Sequence, residues 1–159
     1  PGRVIVHADA PEWREYVHGP FARDEPDPAM HEHAVGVLVD WRSHWRRRPD
    51  AVVALPAAGR VRTTEALAAH LSDVGRLDRI GITLTPGDGA GERAGGGTEA
   101  ASWASRLSVD AQDAERLVGR CVLLVVDESS SGWVVTVAGA LLRSHGADTV
   151  LPLLVHRRP

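Results

Sequence analysis

One stretch of the chain constrains the fold more than any other: residues 121–142, CVLLVVDESSSGWVVTVAGALL. An apolar run comes first, followed by two acids, three serines and a glycine, and then by apolar residues at helical spacing. A short continuous apolar run is typical of a strand that is buried on both faces of a parallel sheet. The stretch therefore predicts a strand, a polar turn and a helix in immediate succession.

Strands and helices alternate through most of the chain. Besides residues 121–126, apolar runs predict strands at residues 51–56, 78–85 and 149–156. Helices are predicted from residue 28 to the arginines that precede Pro49, and at residues 63–74 (capped by Thr63 or Thr64), 98–107, 111–117 and 132–145. Residues 86–97 are too rich in glycine to hold regular structure. This order implies an α/β fold: a parallel sheet with right-handed crossovers and helices on both faces.

Length and composition indicate one globular domain. The chain has 159 residues, of which 43% are hydrophobic and 25% charged. Residues 1–28 are rich in Pro, Asp and Glu and are interpreted as a leader, with a short strand at RVIVHA and a helical turn at PEWREYV. Residues 29–159 form the predicted domain. Since the first residue is Pro1 and the single Met is Met30, we expect a piece of a longer protein.

Charge and cysteine usage narrow the functional classes. The net charge of −3 argues against binding nucleic acid by overall charge, and because the chain has no Lys, any positive charge used in chemistry must come from Arg or His. No apolar run approaches the roughly 20 residues of a membrane helix, and no signal peptide opens the chain. Cys121 cannot form an internal disulfide and is expected to be a buried thiol. A cytoplasmic protein without a membrane partner is predicted.

The turn after the strand at residues 121–126 has the composition of a phosphate site. In parallel sheets, ligands bind beyond the carboxyl ends of the strands. Backbone N–H groups at the start of the following helix, together with the hydroxyls of Ser129, Ser130 and Ser131, suit a phosphate, and Gly132 allows a close approach. A serine–glycine turn before a helix is equally often just a helix cap, so the residues alone leave both interpretations open.

The same stretch resembles the phosphoribosyl-diphosphate (PRPP) motif of type I phosphoribosyltransferases. Residues 122–125 match the apolar run of that motif, Asp127 its second acid, Ser130 and Ser131 its threonine pair, and Gly132 its glycine. The pair Gly132–Trp133, followed by TVAGALL, and the segment RPDAVVALPAAGRVRTTEALAAHLSDVGRL resemble more particularly the phosphoribosyltransferase-like domain at the C-terminus of some bacterial RecQ-type DNA helicases.

The resemblance implies a Rossmann-like three-layer fold with little or no hood, and it implies site residues. Asp127 would be the catalytic acid that holds the ribose hydroxyls and organises Mg²⁺ through water, with no metal held by the protein alone. Only the first of the adjacent acids, Asp127 and Glu128, would face the ligand. The implied phosphate or PRPP-binding residues are Asp127, Glu128, Ser129, Ser130, Ser131, Gly132, Trp133 and Val134. The implied pyrophosphate loop is Ala57, Ala58, Gly59 and Arg60, and residues 86–97 would close over the site.

The sequence departs from the family in three places, one of which is the loop after the first strand, where Ala57-Ala58-Gly59 stands with Arg60 behind it. Val126 stands where the first acid is expected, and Val134 replaces the last loop threonine. Two lost hydrogen bonds to charged groups, at roughly 1.5–3 kcal/mol each, would weaken PRPP binding by about two to four decades. The resulting hypothesis is a degenerate phosphoribosyltransferase-like domain of a RecQ-type helicase. It would keep a phosphate or PRPP site, act as an accessory or regulatory domain, and meet DNA through the parent helicase.

Other interpretations stay open. One is an active phosphoribosyltransferase that uses PRPP and Mg²⁺. Another is a DNA- or protein-interaction module that uses Arg42, Arg46, Arg47 and Arg48 with Trp45, although Trp41 and Trp45 more often pack on one apolar face.

His31 and His33 are two apart on a helix and therefore diverge, so a shared metal is not expected. Trp133 is either a lid over the ligand or a plug in its pocket.

Overall fold

The strand formed by residues 121–129 lies at the centre of the main sheet. The computed structural model describes residues 2–88 and 90–159, with Glu92 described by its backbone alone. The strands are β1 (Arg3–Val6), β2 (Ala51–Leu55), β3 (Asp78–Arg79), β4 (Thr83–Leu84), β5 (Leu107–Ser108), β6 (Cys121–Ser129) and β7 (Thr149–Arg157). The α-helices are α1 (Arg14–Tyr16), α2 (Pro28–Trp41), α3 (Val61–Gly75), α4 (Ala90–Ala94), α5 (Gly96–Arg106), α6 (Ala111–Leu117) and α7 (Trp133–Ser144).

The main sheet of the described residues has the strand order β1-β7-β6-β2-β3, and every neighbouring pair is parallel. The predicted α/β fold with a parallel central sheet is therefore confirmed. Strand β6 pairs with β2 on one side and β7 on the other, so that Val126 lies beside both Leu55 and Leu154. Residues 121–127 are all fully buried, which explains the continuous apolar run.

Helices cover both faces of this sheet. Residues of α2 and α3 pack with Leu123 and Val125 in one core cluster, and residues of α5 and α7 pack with Leu124 and Val126 in the other. Because α3 follows β2 and α7 follows β6, two neighbouring strands send their helices to opposite faces. The loops at the carboxyl ends of β2 and β6 therefore diverge and leave a crevice between them, which is where parallel sheets bind ligands.

Two segments differ from the predicted elements. The strand predicted at residues 78–85 is divided: β3 joins the main sheet, whereas β4 pairs antiparallel with β5. The division falls at Gly81, whose N–H donates to Asp113 Oδ2 at 3.0 Å and where an added Cβ would lie 2.6 Å from that oxygen. The expectation that residues 86–97 lack regular structure is wrong for part of the segment, since it contains α4 and the start of α5. Gly89 lies outside the described residues.

The start of α3 also differs from the prediction. The helix begins at Val61, and neither Thr63 nor Thr64 caps it. The carboxylate of Asp24 does so instead, because it accepts hydrogen bonds from the backbone N–H groups of Arg62 (3.0 Å) and Thr63 (2.8 Å). A tertiary contact has replaced the local cap.

The predicted leader, residues 1–28, packs into the domain from residue 2 onward. The strand expected at RVIVHA is present as β1, which forms one edge of the main sheet through parallel pairing with β7. Tyr16 and Phe21 are buried in the core cluster beneath α2 and α3. None of the described helices has the length and apolar content that a bilayer crossing requires.

Candidate functional site

A cavity of about 640 Å³ opens at the crevice between the ends of β2 and β6. Two loops border it: the alanine loop (residues 57–60), which follows β2, and the serine loop (residues 129–132), which begins at the last residue of β6. Its lining residues are Ala57, Ala58, Arg60, Arg93, Glu99, Trp103, Glu128, Ser129, Ser130, Val134 and Arg158. The two loops that the sequence analysis assigned to one site therefore meet at one cavity.

The serine loop is built by its own hydroxyls. Ser129 Oγ accepts a hydrogen bond from the N–H of Gly132 (2.9 Å), and Ser131 Oγ accepts one from the N–H of Trp133 (3.2 Å). Gly132 has a φ of 83°, a left-handed conformation that favours glycine. The exposed Ser130 lines the cavity. The loop thus turns from β6 directly into the N-terminus of α7, where the helix dipole favours an anion.

The hydroxyl of Ser131 is already bonded to an anionic group. It donates to Oε1 of Glu99, on α5, at 2.6 Å. Glu99 is only 7% exposed and lines the cavity. A carboxylate from another part of the chain therefore contacts the serine loop, an interaction that the sequence does not reveal because the two residues are 32 positions apart.

The structure places the Asp127 side chain in the interior, against the alanine loop. Its carboxylate is fully buried and accepts hydrogen bonds from the backbone N–H groups of Ala58, Arg60 and Glu128, at 2.8–3.0 Å. Burial raises the pKa of the Asp127 carboxyl above its ordinary value, and these hydrogen bonds only partly offset that effect. Asp127 holds the alanine loop onto the end of β6 and does not line the cavity.

Of the two adjacent acids, Glu128 lines the cavity and Asp127 does not. Successive side chains of a strand point to opposite faces, and Asp127 shares its face with the buried Leu123 and Val125. The Glu128 carboxylate lies 2.9 Å from Nδ1 of the buried His156, 3.9 Å from Arg60 and 3.7 Å from Arg158.

Asp127 does not fit a magnesium ligand. Each of its carboxylate oxygens already accepts two N–H hydrogen bonds, which occupies the lone pairs that Mg²⁺ needs. The described residues contain no group of three or more His, Cys, Asp or Glu side chains arranged to hold a metal ion. Mg²⁺ carried in by PRPP would have to be held without Asp127.

The apolar residues at positions 126 and 134 belong to the core. Val126 and Val134 are both buried in the cluster beneath α7, and Val134 also borders the cavity. Trp133 packs against the same cluster and is absent from the described lining of the cavity. In this arrangement Trp133 is neither a lid nor a plug.

The alanine loop brings an arginine to the cavity. Gly59 has a φ of 83°, and Arg60 follows it. The Arg60 guanidinium stacks over the ring of Phe21, with Cζ 4.3 Å from the ring centroid, and its Nε donates to the Phe21 carbonyl at 3.0 Å. The predicted leader thus supplies the support for a cavity residue. Arg93 and Arg158, which the sequence analysis missed, add two further positive charges to the lining.

The arginine-rich segment lies at the other edge of the sheet. Arg47 donates to the Gly119 carbonyl and to Asp50, and Arg48 donates to the Gly75 carbonyl. These two predicted DNA contacts therefore bond to residues that come shortly before β2, β3 and β6, and all four predicted arginines are exposed. Trp41 and Trp45 pack edge to face with ring centroids 5.9 Å apart, so the packing interpretation of this pair holds.

The two histidines of HEH point to different partners, as their spacing predicts. His31 stacks on His70, with centroids 5.2 Å apart, and His33 contacts Trp13. Burial, followed by the nearby His70, lowers the pKa of His31. Cys121 is buried as expected, and burial raises the pKa of its thiol.

Comparison with solved structures finds similar chains among phosphoribosyltransferases. The hypoxanthine phosphoribosyl transferase of Trypanosoma cruzi is 16% identical, with a TM-score of 0.49 over 79% of this chain and 60% of that one. An HPRT in which an invariant aspartic acid is replaced by glutamine is 16% identical, with a TM-score of 0.48 and 63% of its length covered. The purine phosphoribosyltransferase of Pyrococcus horikoshii Ot3 is 18% identical, with a TM-score of 0.45 over 79% of this chain and 71% of that one.

The chain spans less than two thirds of the length of the first two of these proteins. All three TM-scores lie below 0.5. No family model and no curated protein matches the chain.

Proposed function

We propose that this chain is a phosphoribosyltransferase-like domain that binds a phosphorylated sugar, such as PRPP or ribose 5-phosphate, without carrying out the transfer. The phosphate would bind at the serine loop. The observation that carries the proposal is the 2.6 Å hydrogen bond from Ser131 to the Glu99 carboxylate, since the loop there already binds an anionic group.

The cavity suits such a ligand in size, and three of its lining residues are arginines. Its volume of about 640 Å³ lies within the roughly 300–1,000 Å³ typical of small-molecule sites. Arg60, Arg93 and Arg158 line it. Guanidinium groups are well matched to phosphate oxygens, so these residues would hold the remaining phosphates of a ligand whose 5′-phosphate lies at the serine loop.

The position of Asp127 supports binding without transfer. An acid that serves the reaction needs oxygens that can reach the ribose hydroxyls, whereas both oxygens of Asp127 are bonded to backbone N–H groups in the interior. Val126, at the place of the first acid, packs beneath α7. Glu128 is the acid that reaches the cavity, and its carboxylate is paired with His156.

An accessory or regulatory role follows from binding without turnover, and the RecQ-type helicase context and the contact with DNA through it stay predictions. The interaction-module alternative has less support, because Arg47 and Arg48 are bonded to carbonyl groups of the fold.

The proposal predicts that a negative charge added to the serine loop abolishes phosphate binding. Ser130 is exposed, so Ser130→Asp should fold normally while repelling a bound phosphate. Ribose 5-phosphate added to the wild-type protein should shift the backbone amide NMR signals of residues 129–133. In Ser130→Asp the affinity should fall by about tenfold or more.

Two controls test whether binding depends on the phosphate group and on the position of the added charge. Ribose without phosphate should leave the amide signals unchanged. Ser43→Asp adds the same charge to an exposed residue of the turn before β2 and should bind ribose 5-phosphate like the wild type. Equal affinities in Ser130→Asp and Ser43→Asp, or shifts confined to residues outside the two loops, would exclude the serine loop as the phosphate site.

A further inference from the structure

Glu99 is bonded to the serine loop, where the proposed function places the ligand phosphate. Its carboxylate accepts the Ser131 hydroxyl, and its side chain borders the same cavity as Ser129 and Ser130. Glu99 is buried, so its charge is poorly screened by water. Two anionic groups cannot share one small set of donors without strong repulsion. A phosphate at the serine loop and the carboxylate of Glu99 therefore exclude each other.

Helix α5, which carries Glu99, is attached in a way that permits movement. Gly95 precedes the helix and Gly96 is its first residue, with φ values of 70° and 55°, and nothing lies within 4 Å of a Cβ added at either position. The helix has 11 residues and is held beside α7 by its apolar face, chiefly the buried Trp103. A turn of glycines without close neighbours is a suitable hinge for a short helix.

The same helix face contains a buried donor without an acceptor. Trp103 lies one turn after Glu99 and lines the cavity, and its Nε1 has no hydrogen-bond partner among the described residues. An unpaired buried donor is unfavourable, so the position of α5 against the cavity is less stable than its packing alone indicates.

We infer that Glu99 determines how tightly the serine loop binds anions, as an internal competitor that must leave Ser131 before a phosphate can bind. The inference rests on the proposed function. A phosphorylated ligand replaces the carboxylate at Ser131 and displaces α5 outward from the cavity. Affinity then depends on the balance between the two anions, and any partner that stabilises the outward position of α5 raises the affinity for phosphate.

The test is the affinity for inorganic phosphate, measured by calorimetry in the wild type and in Glu99→Gln. Glutamine keeps the size of the side chain and a hydrogen-bond acceptor for Ser131 but carries no charge. Hydrogen bonds to charged groups are stronger than neutral ones by about one decade in binding. Glu99→Gln should therefore bind phosphate about tenfold more tightly. Glu115→Gln, on the exposed face of α6, removes the same charge away from the cavity and should bind like the wild type.

A second measurement needs no variant. Hydrogen exchange of the backbone amides of residues 96–106 should become faster when phosphate is added to the wild type, because the ligand displaces α5. Phosphate binding by the wild type with no gain in Glu99→Gln and no faster exchange would overturn the role of Glu99 and leave the phosphate site standing. If neither protein binds phosphate, the proposed function fails and this inference fails with it.

Discussion

The alanine loop and the serine loop lie side by side at the carboxyl edge of the sheet, and each is held by a carboxylate from another part of the chain. At the alanine loop the carboxylate is that of Asp127, which is fully buried on the central strand and bonded to three backbone N–H groups. At the serine loop it is that of Glu99, which is bonded to one hydroxyl and carried by a short helix after a run of glycines.

This difference separates a structural anion from a replaceable one. Removing Asp127 from its place would break the contact between β6 and the loop after β2, so its carboxylate is part of the fold. Glu99 can leave Ser131 with the loss of one side-chain hydrogen bond. The proposed function therefore gives two loops with similar positions different roles: one is closed to ligands at its backbone, and the other binds an anion that a ligand would replace.

The largest effect expected from this comparison is on stability. Asp127→Ala removes the fully buried acceptor of three backbone N–H groups, at about 1–3 kcal/mol each, so the free energy of unfolding should fall by about 3 kcal/mol or more. Urea unfolding measures this change. The matched control is Asp73→Ala, at an exposed position of α3, which should change the free energy by about 0.5 kcal/mol or less. A loss below about 1 kcal/mol for Asp127→Ala would mean that its carboxylate is as replaceable as that of Glu99.

A smaller effect is expected at Asp24, which caps the helix after the alanine loop. Its two oxygens accept from different N–H groups, and asparagine keeps only one oxygen while tolerating the φ of 55° at this position. Asp24→Asn should lower the free energy of unfolding by about 1 kcal/mol at neutral pH, as measured in urea. Asp40→Asn, on the exposed side of α2, is the control and should have little effect.

The pH dependence of this cap sharpens the comparison with Asp127. Burial raises the pKa of Asp24, but the hydrogen bonds from the backbone of Thr63 and Arg62 outweigh it, so the pKa lies below its ordinary value. The folded state thus favours the charged form of Asp24. The cap stabilises the protein above the ordinary carboxyl pKa, and this contribution is lost as the pH falls through the lowered one. The pKa of Asp127 is raised, so the folded state favours the protonated form of Asp127, and ionisation of this carboxyl lowers the free energy of unfolding. The difference in free energy of unfolding between the wild type and Asp24→Asn should therefore shrink in acid. A difference that grows as the pH falls would contradict this account.

The elements of the fold could be predicted wherever the pattern is local. The strand, turn and helix of residues 121–144 follow from one apolar run, a glycine and helical spacing, and the structure has them within a few residues. The same apolar run also indicates that this strand is buried in a parallel sheet. Gly81, by contrast, divides a predicted strand because of Asp113, which is 32 residues away in the sequence.

The site was predictable only in part. The motif identifies the two loops, because both are contiguous in sequence. The residues that bond to these loops are distant in sequence. Asp127 bonds to residues 67–69 positions earlier, and Glu99 bonds to Ser131 from another helix. His156, on the next strand, bonds to Glu128. Strand alternation alone could have indicated the direction of Asp127, which has the same parity as the buried Leu123 and Val125.

A crystal structure of the protein with ribose 5-phosphate tests the central claim most directly. The account predicts a phosphate bonded to the serine loop, Glu99 withdrawn from Ser131, and the hydrogen bonds of Asp127 to the alanine loop unchanged. A phosphate bound away from the serine loop, or at the loop with Glu99 still bonded to Ser131, would contradict it.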